Sequence, residues 1–247
     1  MKNIITILLC ALAIGFVLPQ QAQAAKKDKK EKKPYVWEMP KLTENKEFDE
    51  YLLKCDTMNT RIRQYCENIT FYEVAAIETT DDKGEQEVFY QVVDSANQVR
   101  SANKAFLQNM DLVLSGASIL ADMTLMATYT ASATSALPSL GMKALSYGKY
   151  LKAGPKMIDY GMKEIKEITT KARSQAKDIK KLKKGVTDDF KARYAEVKTG
   201  NVEAGNVGIR VIQMSKSDYQ AQYAKAIKED KDNPVNMDDE KYEEDPE

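Results

Sequence analysis

The feature that most constrains the fold is a long stretch with almost no charge. Between Asp111 and Lys143 the only charged residue is Asp122, and the segment from Met123 to Met142 carries none. Ser101 is suited to cap a helix start, and apolar residues then recur at helical spacing: Phe106, Leu107, Met110, Val113, Leu114, Ile119, Leu120, Met123 and Met126. Because proline ends or restarts a helix, Pro138 predicts a turn near residues 135–141.

Four glycines punctuate the sequence that follows. Gly141 and Gly148 are seven positions apart, as are Gly154 and Gly161, so each pair would share one helix face. Glycine costs about 1 kcal/mol relative to alanine inside a helix, which calls for a compensating contact. We therefore expect an antiparallel helical hairpin at about 101–184, closely packed through the glycines, with Pro155 kinking or restarting its second helix. The expected partner seam on the first helix is Ala117, Ala121, Thr124, Thr128 and Ala131.

A third helix is predicted before this hairpin, from Glu44 to about Asn68, with Thr43 as its N-cap. Its apolar residues form two rows with coiled-coil-like heptad spacing: Phe48, Cys55, Ile62 and Ile69, and Tyr51, Met58, Tyr65 and Tyr72. Cys55 and Cys66 would lie about 16 Å apart along such a helix, far beyond disulfide reach. A disulfide and a continuous helix are therefore alternatives, and the heptad rows favour the helix with buried thiols.

Between the helices the spacing changes to that of strands. Two β-branched and aromatic runs within residues 70–93 flank Asp81-Asp82-Lys83-Gly84, which is typical of a β-hairpin. A lone hairpin is marginal, so a third strand from Val207–Met214 is expected to join it. The fold class predicted is mainly α, a helical bundle built on the long hairpin with a small β-hairpin attached. One mostly helical domain would span 44–228.

The end of the second hairpin helix is basic. Its cations are Lys171, Arg173, Lys177, Lys180, Lys181, Lys183 and Lys184, against the single acid Asp178. Three interpretations remain open besides a solvated helix face. The cluster could bind anionic lipid, an acidic partner, or the acidic tail of the same chain.

The two ends of the chain carry opposite charge. Lys2, the apolar run Ile4–Leu18 and Ala22-Gln23-Ala24 are typical of a cleaved signal peptide at 1–24. Lipid attachment at Cys10 is not expected, because Leu9 stands where a small residue is required. Residues 25–43 predict a basic, extended linker in which Trp37 is either an apolar clip or an exposed recognition residue. Residues 229–247 predict an acidic disordered tail.

The composition excludes several chemistries. The sequence has no histidine, so Ser-His-Asp and Cys-His catalysis and histidine-ligated metal sites are excluded. No phosphate-cradling glycine motif or spaced calcium loop is present, and no cofactor or metal is expected. A carboxylate- or tyrosine-based enzyme remains a minor alternative.

These observations predict an exported, non-enzymatic binding or scaffold protein of the bacterial envelope, in the periplasm or the medium. Its partner would be an envelope protein or an anionic surface. Nucleic acid is not expected, because export removes the chain from it. Membrane contact is compatible with the sequence, although spanning is not expected. The alternative is a membrane-active, pore-forming-like protein that inserts the uncharged hairpin at about 111–153, but its many Thr and Ser residues make insertion unfavourable.

Overall fold

The computed structural model describes residues 36–67, 69–200, 208–239 and 242. The predicted signal peptide, most of the basic arm and the last acidic residues lie outside this range. The helices are α1 (Lys46–Glu67), α2 (Ala102–Ala136), α3 (Ala144–Lys183), α4 (Asp188–Thr199) and α5 (Lys216–Asp232). The strands are β1 (Glu73–Thr80), β2 (Gln86–Val93) and β3 (Arg210–Ser215). The predicted mainly helical fold with a small sheet is confirmed.

The hairpin of α2 and α3 is the longest feature of the fold. Its helices contain 35 and 40 residues, which correspond to about 52 and 60 Å. Ser101 caps α2, since its side chain accepts a hydrogen bond from the Lys104 amide. A 3₁₀ turn, Leu137–Lys143, joins the two helices close to the predicted position. Helix α3 continues through Pro155, so the proline does not restart the helix, and the predicted kink stays a prediction.

Helix α1 packs along α2 and α3 to form a three-helix bundle. Residues from both heptad rows are buried between Phe48 and Tyr65. Cys55 and Cys66 lie on this one continuous helix as free thiols, so the helical interpretation was right, although Cys55 is buried and Cys66 only half-buried. The predicted cap is corrected from Thr43 to Asn45, whose Oδ1 accepts a hydrogen bond from the Phe48 amide at 3.0 Å.

Two tyrosines of α1 attach it to the hairpin, each through a hydrogen bond from its hydroxyl to a helix carbonyl. The Tyr51 hydroxyl donates to the carbonyl of Tyr150 on α3, and the Tyr65 hydroxyl donates to the carbonyl of Leu112 on α2, each at 2.8 Å. In both cases the residue four positions later is a glycine, Gly154 or Gly116. Side chains in a helix lean toward its N-terminus, so a Cβ at i+4 would crowd the carbonyl of residue i. The glycines therefore leave room for the hydroxyls.

The predicted role of the glycines, close contact between two helix backbones, is therefore corrected. A Cβ at Gly154 would lie 2.9 Å from Cys55 Sγ and closer still to the Tyr51 hydroxyl. A Cβ at Gly161 would meet Ile62 Cδ1 at 2.5 Å and Met123 Cε at 3.0 Å. These two glycines chiefly accommodate side chains of α1, rather than letting two backbones touch.

The other two glycines do not pack closely at all. Gly141 has φ +56° and lies in the turn, with nothing within 4 Å of its Cβ position. A Cβ at Gly148 would have one neighbour, Leu137, at 3.9 Å. The predicted small-residue seam is also wrong, because most of its members are exposed: Ala121, Thr124, Thr128 and Ala131. Larger residues such as Ile119, Met123 and Met126 fill that interface instead.

The sheet lies at the opposite end of the hairpin from the 3₁₀ turn. Strand order is β2-β1-β3, with β1 antiparallel to β2 and parallel to β3, so the expected third strand is present. Ala76 pairs with both Tyr90 and Val211. Alternate residues of β1 face opposite sides. Val74 and Ala76 pack with α2, α3 and α4, whereas Ala75 and Ile77 pack with α5.

The first part of the acidic end of the chain packs against the rest of the fold, whereas a disordered tail was expected at 229–247. Helix α5 continues to Asp232, and Asp230 accepts a hydrogen bond from the Asn103 amide at the start of α2 at 3.0 Å. Met237 is buried, and the Tyr242 ring packs edge-on against Phe106 with centroids 5.2 Å apart. The apolar area of these two side chains offsets the entropy of ordering the segment.

Candidate functional site

The most distinctive surface is the closed end of the hairpin, residues 125–149, which we call the hairpin tip. Met142 and Leu145 are each 92% exposed, more than any other large hydrophobic side chain of the described residues. Leu125, at 56%, adds to the apolar surface of the same end. Most exposed large side chains of soluble proteins are polar, and contiguous apolar patches commonly mark interaction sites. The tip is therefore the strongest candidate for a contact surface.

The sequence of the turn holds these side chains outward. Pro138 lies at the start of the 3₁₀ turn, and Leu140 is buried and anchors it. Ser139 Oγ accepts a hydrogen bond from Asn45 Nδ2 at 2.9 Å, which fastens the turn to the start of α1. Gly141 then takes a positive φ, a conformation that glycine adopts readily. With Leu140 fixed inward, Met142 is left pointing to solvent.

The exposure of the tip was not among the sequence predictions, although the sequence carries a signal for it. The buried row of α3 repeats every seven residues through Ile179, Ala172, Ile165 and Ile158. Extended backward, the same row reaches Leu151 and Ala144. Leu145 is one residue away, about 100° around the helix, and so falls outside the buried row. A large apolar residue that lies beside an established buried row indicates an exposed apolar position.

The electrostatic surroundings of the tip are simple. The tip has no charged residue from Leu125 to Met142. Lys143 lies between the two exposed apolar residues, and its ammonium donates to the Thr43 carbonyl at 3.2 Å. Lys149 lies over the Tyr150 ring, 5.0 Å from its centroid. Both cations are therefore engaged by groups of the same molecule.

The N-terminal segment joins the fold beside the tip. Trp37 is buried and contacts Tyr150 edge-on, with ring centroids 5.9 Å apart, so it is the apolar clip rather than an exposed residue. The Tyr147 hydroxyl donates to the Lys41 carbonyl at 2.9 Å. These contacts place the start of the described chain within two helical turns of Leu145. The lysine-rich segment 26–33 precedes it in sequence.

The predicted basic cluster is largely neutralised within the molecule. Lys180 and Lys184 each approach Asp238 at 2.8 Å, and they hold the pKa of this carboxyl below its usual value. Lys183 pairs with Asp230 at 3.2 Å. Among the three interpretations, these contacts favour the acidic end of the same chain as the partner.

The remaining cations of the cluster differ in their contacts and in their exposure. Lys181 pairs with Asp189 at 3.3 Å, and Lys171 lies 4.2 Å above the Phe71 ring. Arg173 is half-buried, and Lys177 is exposed. The seven cations therefore do not form one free platform, and the structure distributes them over separate contacts.

A polar cleft of about 550 Å³ lies between α3, α4 and the sheet. Three carboxylates line it, those of Glu73, Glu167 and Asp178, and arginines hold the first and the last. Arg210 pairs with Glu73, and Arg193 pairs with Asp178 at 2.9 Å. Gln175 Nε2 also donates to Glu73 at 3.3 Å. Glu73 and Asp178 are therefore restrained by ion pairs with arginines, which limits the freedom of these two carboxylates to transfer protons.

The thiols and buried tyrosines are poorly suited to nucleophilic chemistry. Burial raises the pKa of Cys55 to about 12 and that of Cys66 to about 11. It also raises the pKa of Tyr65 to about 12. Since the thiolate is the reactive form, these raised pKa values disfavour nucleophilic reaction of either cysteine at neutral pH. Within the described part of the chain, no group of three or more Cys, Asp and Glu side chains is arranged to hold a metal ion.

In comparisons with known proteins, no family profile, curated protein or solved structure matches this chain significantly. Among the residues that the structure describes, one helical segment within Ala102–Lys183 is long and apolar enough to cross a membrane, and 33% of its apolar window is buried. Core helices of soluble proteins meet the same criterion. The surface of the molecule is therefore the basis on which a function can be proposed.

Proposed function

We propose that this chain is an exported, non-enzymatic binding or scaffold protein of the bacterial cell envelope, and that it binds through the hairpin tip. Export is supported by the signal-like sequence at 1–24. Its destination is the periplasm or the medium, without a lipid anchor. No cofactor, metal or nucleic acid enters the proposal. The observation that carries it is the exposure of Met142 and Leu145.

Met142 and Leu145 contribute little to the stability of the fold. Burying a Met or Leu side chain is worth about 1.5–3 kcal/mol, and at 92% exposure almost none of that is realised here. The two residues are three positions apart in a helical stretch and so lie on the same side. A partner that covered both side chains would gain the free energy of burying their apolar surface, which folding does not bury.

Site-specific photocrosslinking in intact cells tests this proposal. A photoreactive residue at position 142 or 145 should form adducts with one defined envelope component. The same residue at Leu114 or Val186, which are about half exposed and lie outside the tip, serves as the control. The proposal is wrong if the tip positions give no more adduct than the controls. Cell fractionation and N-terminal sequencing should place the mature chain, starting near Ala25, outside the cytoplasm.

A membrane-active, pore-forming-like role of residues 111–153 is the second candidate, favoured by the apolar window of the hairpin. Insertion would require Met123 and Ile158, both buried against α1, to leave the bundle core. Release of a dye from anionic liposomes would support this role. Retention of the dye by vesicles that bind the protein would exclude it and leave the first proposal intact.

A further inference from the structure

We infer that the polar cleft between α3, α4 and the sheet binds a short peptide of about three to five residues, with the peptide carboxylate at Lys166 and the peptide ammonium at Gln175. The cleft is separate from the hairpin tip, because none of its lining residues belongs to residues 125–149. This inference therefore goes beyond the proposed function and does not depend on the partner of the tip.

The first observation is an unsatisfied acceptor in the wall of the cleft. Gln175 lines the cleft and is only 8% exposed. Its Nε2 donates to Glu73 at 3.3 Å, whereas its Oε1 is buried and has no hydrogen-bond partner within the described residues. Turning the amide over would not help, because the oxygen would then face the Glu73 carboxylate. A buried acceptor without a donor lowers stability, so a donor on a ligand would be favoured.

An unsatisfied donor lies in the same wall. Arg193 lines the cleft, and its Nη1 and Nη2 donate to Asp178 at 2.9 Å and to Asp189 at 3.1 Å. Its Nε is buried and has no partner in the part of the chain that the structure describes. The wall thus holds one acceptor and one donor that folding leaves unpaired. The first residue of a peptide carries the complementary groups, an ammonium that donates and a carbonyl that accepts.

The cleft is elongated along α3, which favours a peptide over a free amino acid. Successive turns of α3 line it from Lys166 to Asp178. These twelve steps of helix rise about 18 Å, a length that an extended chain of about five residues would span. Thr170 and Ser174 lie between the two ends and are exposed. Their hydroxyls can donate to or accept from peptide groups along this length.

Charges of both signs line the cleft, which favours a zwitterion over an anion or a sugar. A purely anionic ligand would face three carboxylates, and a purely cationic ligand would face four cations. An uncharged ligand would dehydrate these groups without pairing them. The cations are those of Lys166, Lys171, Arg193 and Arg210, and the carboxylates are those of Glu73, Glu167 and Asp178.

The distribution of these charges sets the direction of the peptide. The two arginines neutralise Glu73 and Asp178 at the Gln175 end. The other end, formed by Lys166, Glu167 and Lys171, has a net charge of +1 and attracts a carboxylate. Lys171 lies 4.2 Å above the Phe71 ring, so Lys166 is the cation available for pairing.

Isothermal titration calorimetry of the mature chain from Ala25 with tetra-alanine tests the inference. This peptide has free termini and no functional side chain, and it should bind saturably at one site. N-acetylation removes the ammonium that donates to Gln175 and should lower the affinity about tenfold. C-terminal amidation removes the carboxylate, whose ion pair with exposed Lys166 is screened by solvent, and should lower the affinity about fivefold.

Gln175→Met keeps the approximate shape of the side chain, removes the acceptor and should lower the affinity about tenfold. Gln108→Met is the matched control. Gln108 Oε1 is also buried and without a partner in the described residues, but it lies in a different cleft, between α1 and α2. This control should bind within about twofold of the unmodified protein.

A second pair of variants tests the carboxylate end. Lys166→Gln should lower the affinity for tetra-alanine about fivefold, with no further loss for the amidated peptide, because both changes remove the same ion pair. Lys177→Gln removes an exposed cation of the same helix outside the cleft, and it should bind within about twofold of the unmodified protein. Circular dichroism checks that each variant is folded, and this pair decides the matter if Gln175→Met does not fold.

Several results would overturn the inference. They are the absence of saturable binding by tetra-alanine, equal losses in the Gln175 and Gln108 variants, and additive losses from Lys166→Gln and amidation. Glucose and inorganic phosphate are titrated in parallel. Tighter binding of either one, lost in Gln175→Met, would show that the cleft takes another class of ligand and that the peptide assignment is wrong. Photocrosslinking at the hairpin tip is unaffected by these outcomes, so the proposed function is tested separately.

Discussion

Replacing Gly154 with alanine tests how α1 is attached to the hairpin. The added methyl group would lie 2.9 Å from Cys55 Sγ and closer still to the Tyr51 hydroxyl. Tyr51 has no exposed surface, and its hydroxyl donates to the Tyr150 carbonyl at 2.8 Å. The ring has no space into which to retreat, so the substitution should displace the hydroxyl and break this hydrogen bond.

The expected cost follows from three contributions. Overpacking a core costs about 1–3 kcal/mol, and leaving a buried hydroxyl without its partner costs about 1–3 kcal/mol. Replacing glycine with alanine inside a helix ordinarily stabilises it by about 1 kcal/mol, because alanine has the higher helix propensity. Pro155 reduces that gain, because a proline crowds the Cβ of the residue before it in helical conformation. The net destabilisation should be about 3 kcal/mol.

Urea and thermal unfolding followed by circular dichroism measure this cost. For a domain of this size, 3 kcal/mol lowers the Tm by about 6–12 °C. Gly148→Ala is the matched control on the same helix, because its Cβ would have one neighbour, at 3.9 Å. That variant should be stabilised by about 0.5–1 kcal/mol, the propensity gain alone.

Tyr51→Phe identifies which contribution dominates. It removes the hydrogen bond without overpacking, so it should cost about 1–2 kcal/mol. In this background the ring end is smaller, and Gly154→Ala should cost less than it does beside the tyrosine. If Gly154→Ala and Gly148→Ala changed stability in the same direction and by similar amounts, the proposed attachment of α1 would be refuted.

The remaining predictions concern the thiols and the docked end of the chain. The free energy of unfolding, measured with urea, should fall as pH rises above about 9. An ordinary thiol has a pKa of 9.0, whereas the Cys55 thiol in the folded chain has a pKa of about 12, so the unfolded chain loses this proton first. A Cys55→Ala variant should lose part of this pH dependence. Truncation after Asn233 should cost about 2 kcal/mol through the loss of buried Met237. The same truncation should raise acetylation of Lys184, which loses Asp238, but not of Lys177, as mass spectrometry would show. Asp230→Ala should cost about 2 kcal/mol, because the Asn103 amide at the start of α2 loses its acceptor, and an unchanged Tm would contradict this.

Local patterns were sufficient where one physical effect dominated. The heptad rows of α1 located its buried face, because a surface helix can bury only one stripe of side chains. Ser101 located the start of α2, and the Asp81–Gly84 segment located the β-hairpin turn, since both depend on hydrogen bonds and dihedral angles within a few residues. These elements follow from short-range interactions.

The glycine prediction failed because spacing does not identify the partner. Gly154 and Gly161 share a helix face, as expected, but the elements that fill the space are side chains of α1. A tyrosine hydroxyl reaching a helix carbonyl creates the same requirement for glycine as close backbone approach does. The two arrangements cannot be separated from α3 alone, since the difference lies in which residues of another helix face it.

The docked acidic segment was mispredicted for a related reason. Its charge suggested a solvated tail, yet Met237 and Tyr242 supply apolar area, and Lys180 and Lys184 supply the countercharge. These partners lie more than forty positions away in sequence. Disorder predicted from composition assumes that no such surface exists elsewhere in the chain. That assumption depends on the tertiary structure.

The bundle and the tip should respond to mutation independently. Gly154 contacts only the interior of the bundle, whereas Met142 and Leu145 are almost wholly exposed and contribute little to the core. Gly154→Ala should therefore lower stability while the protein that remains folded keeps its photocrosslinking through positions 142 and 145. Met142→Ser with Leu145→Ser should lower affinity for the partner of the tip and leave the free energy of unfolding within about 0.5 kcal/mol of the unmodified protein. If the tip substitutions destabilised the fold instead, the two side chains would have a structural role, and their exposure would no longer indicate a contact surface.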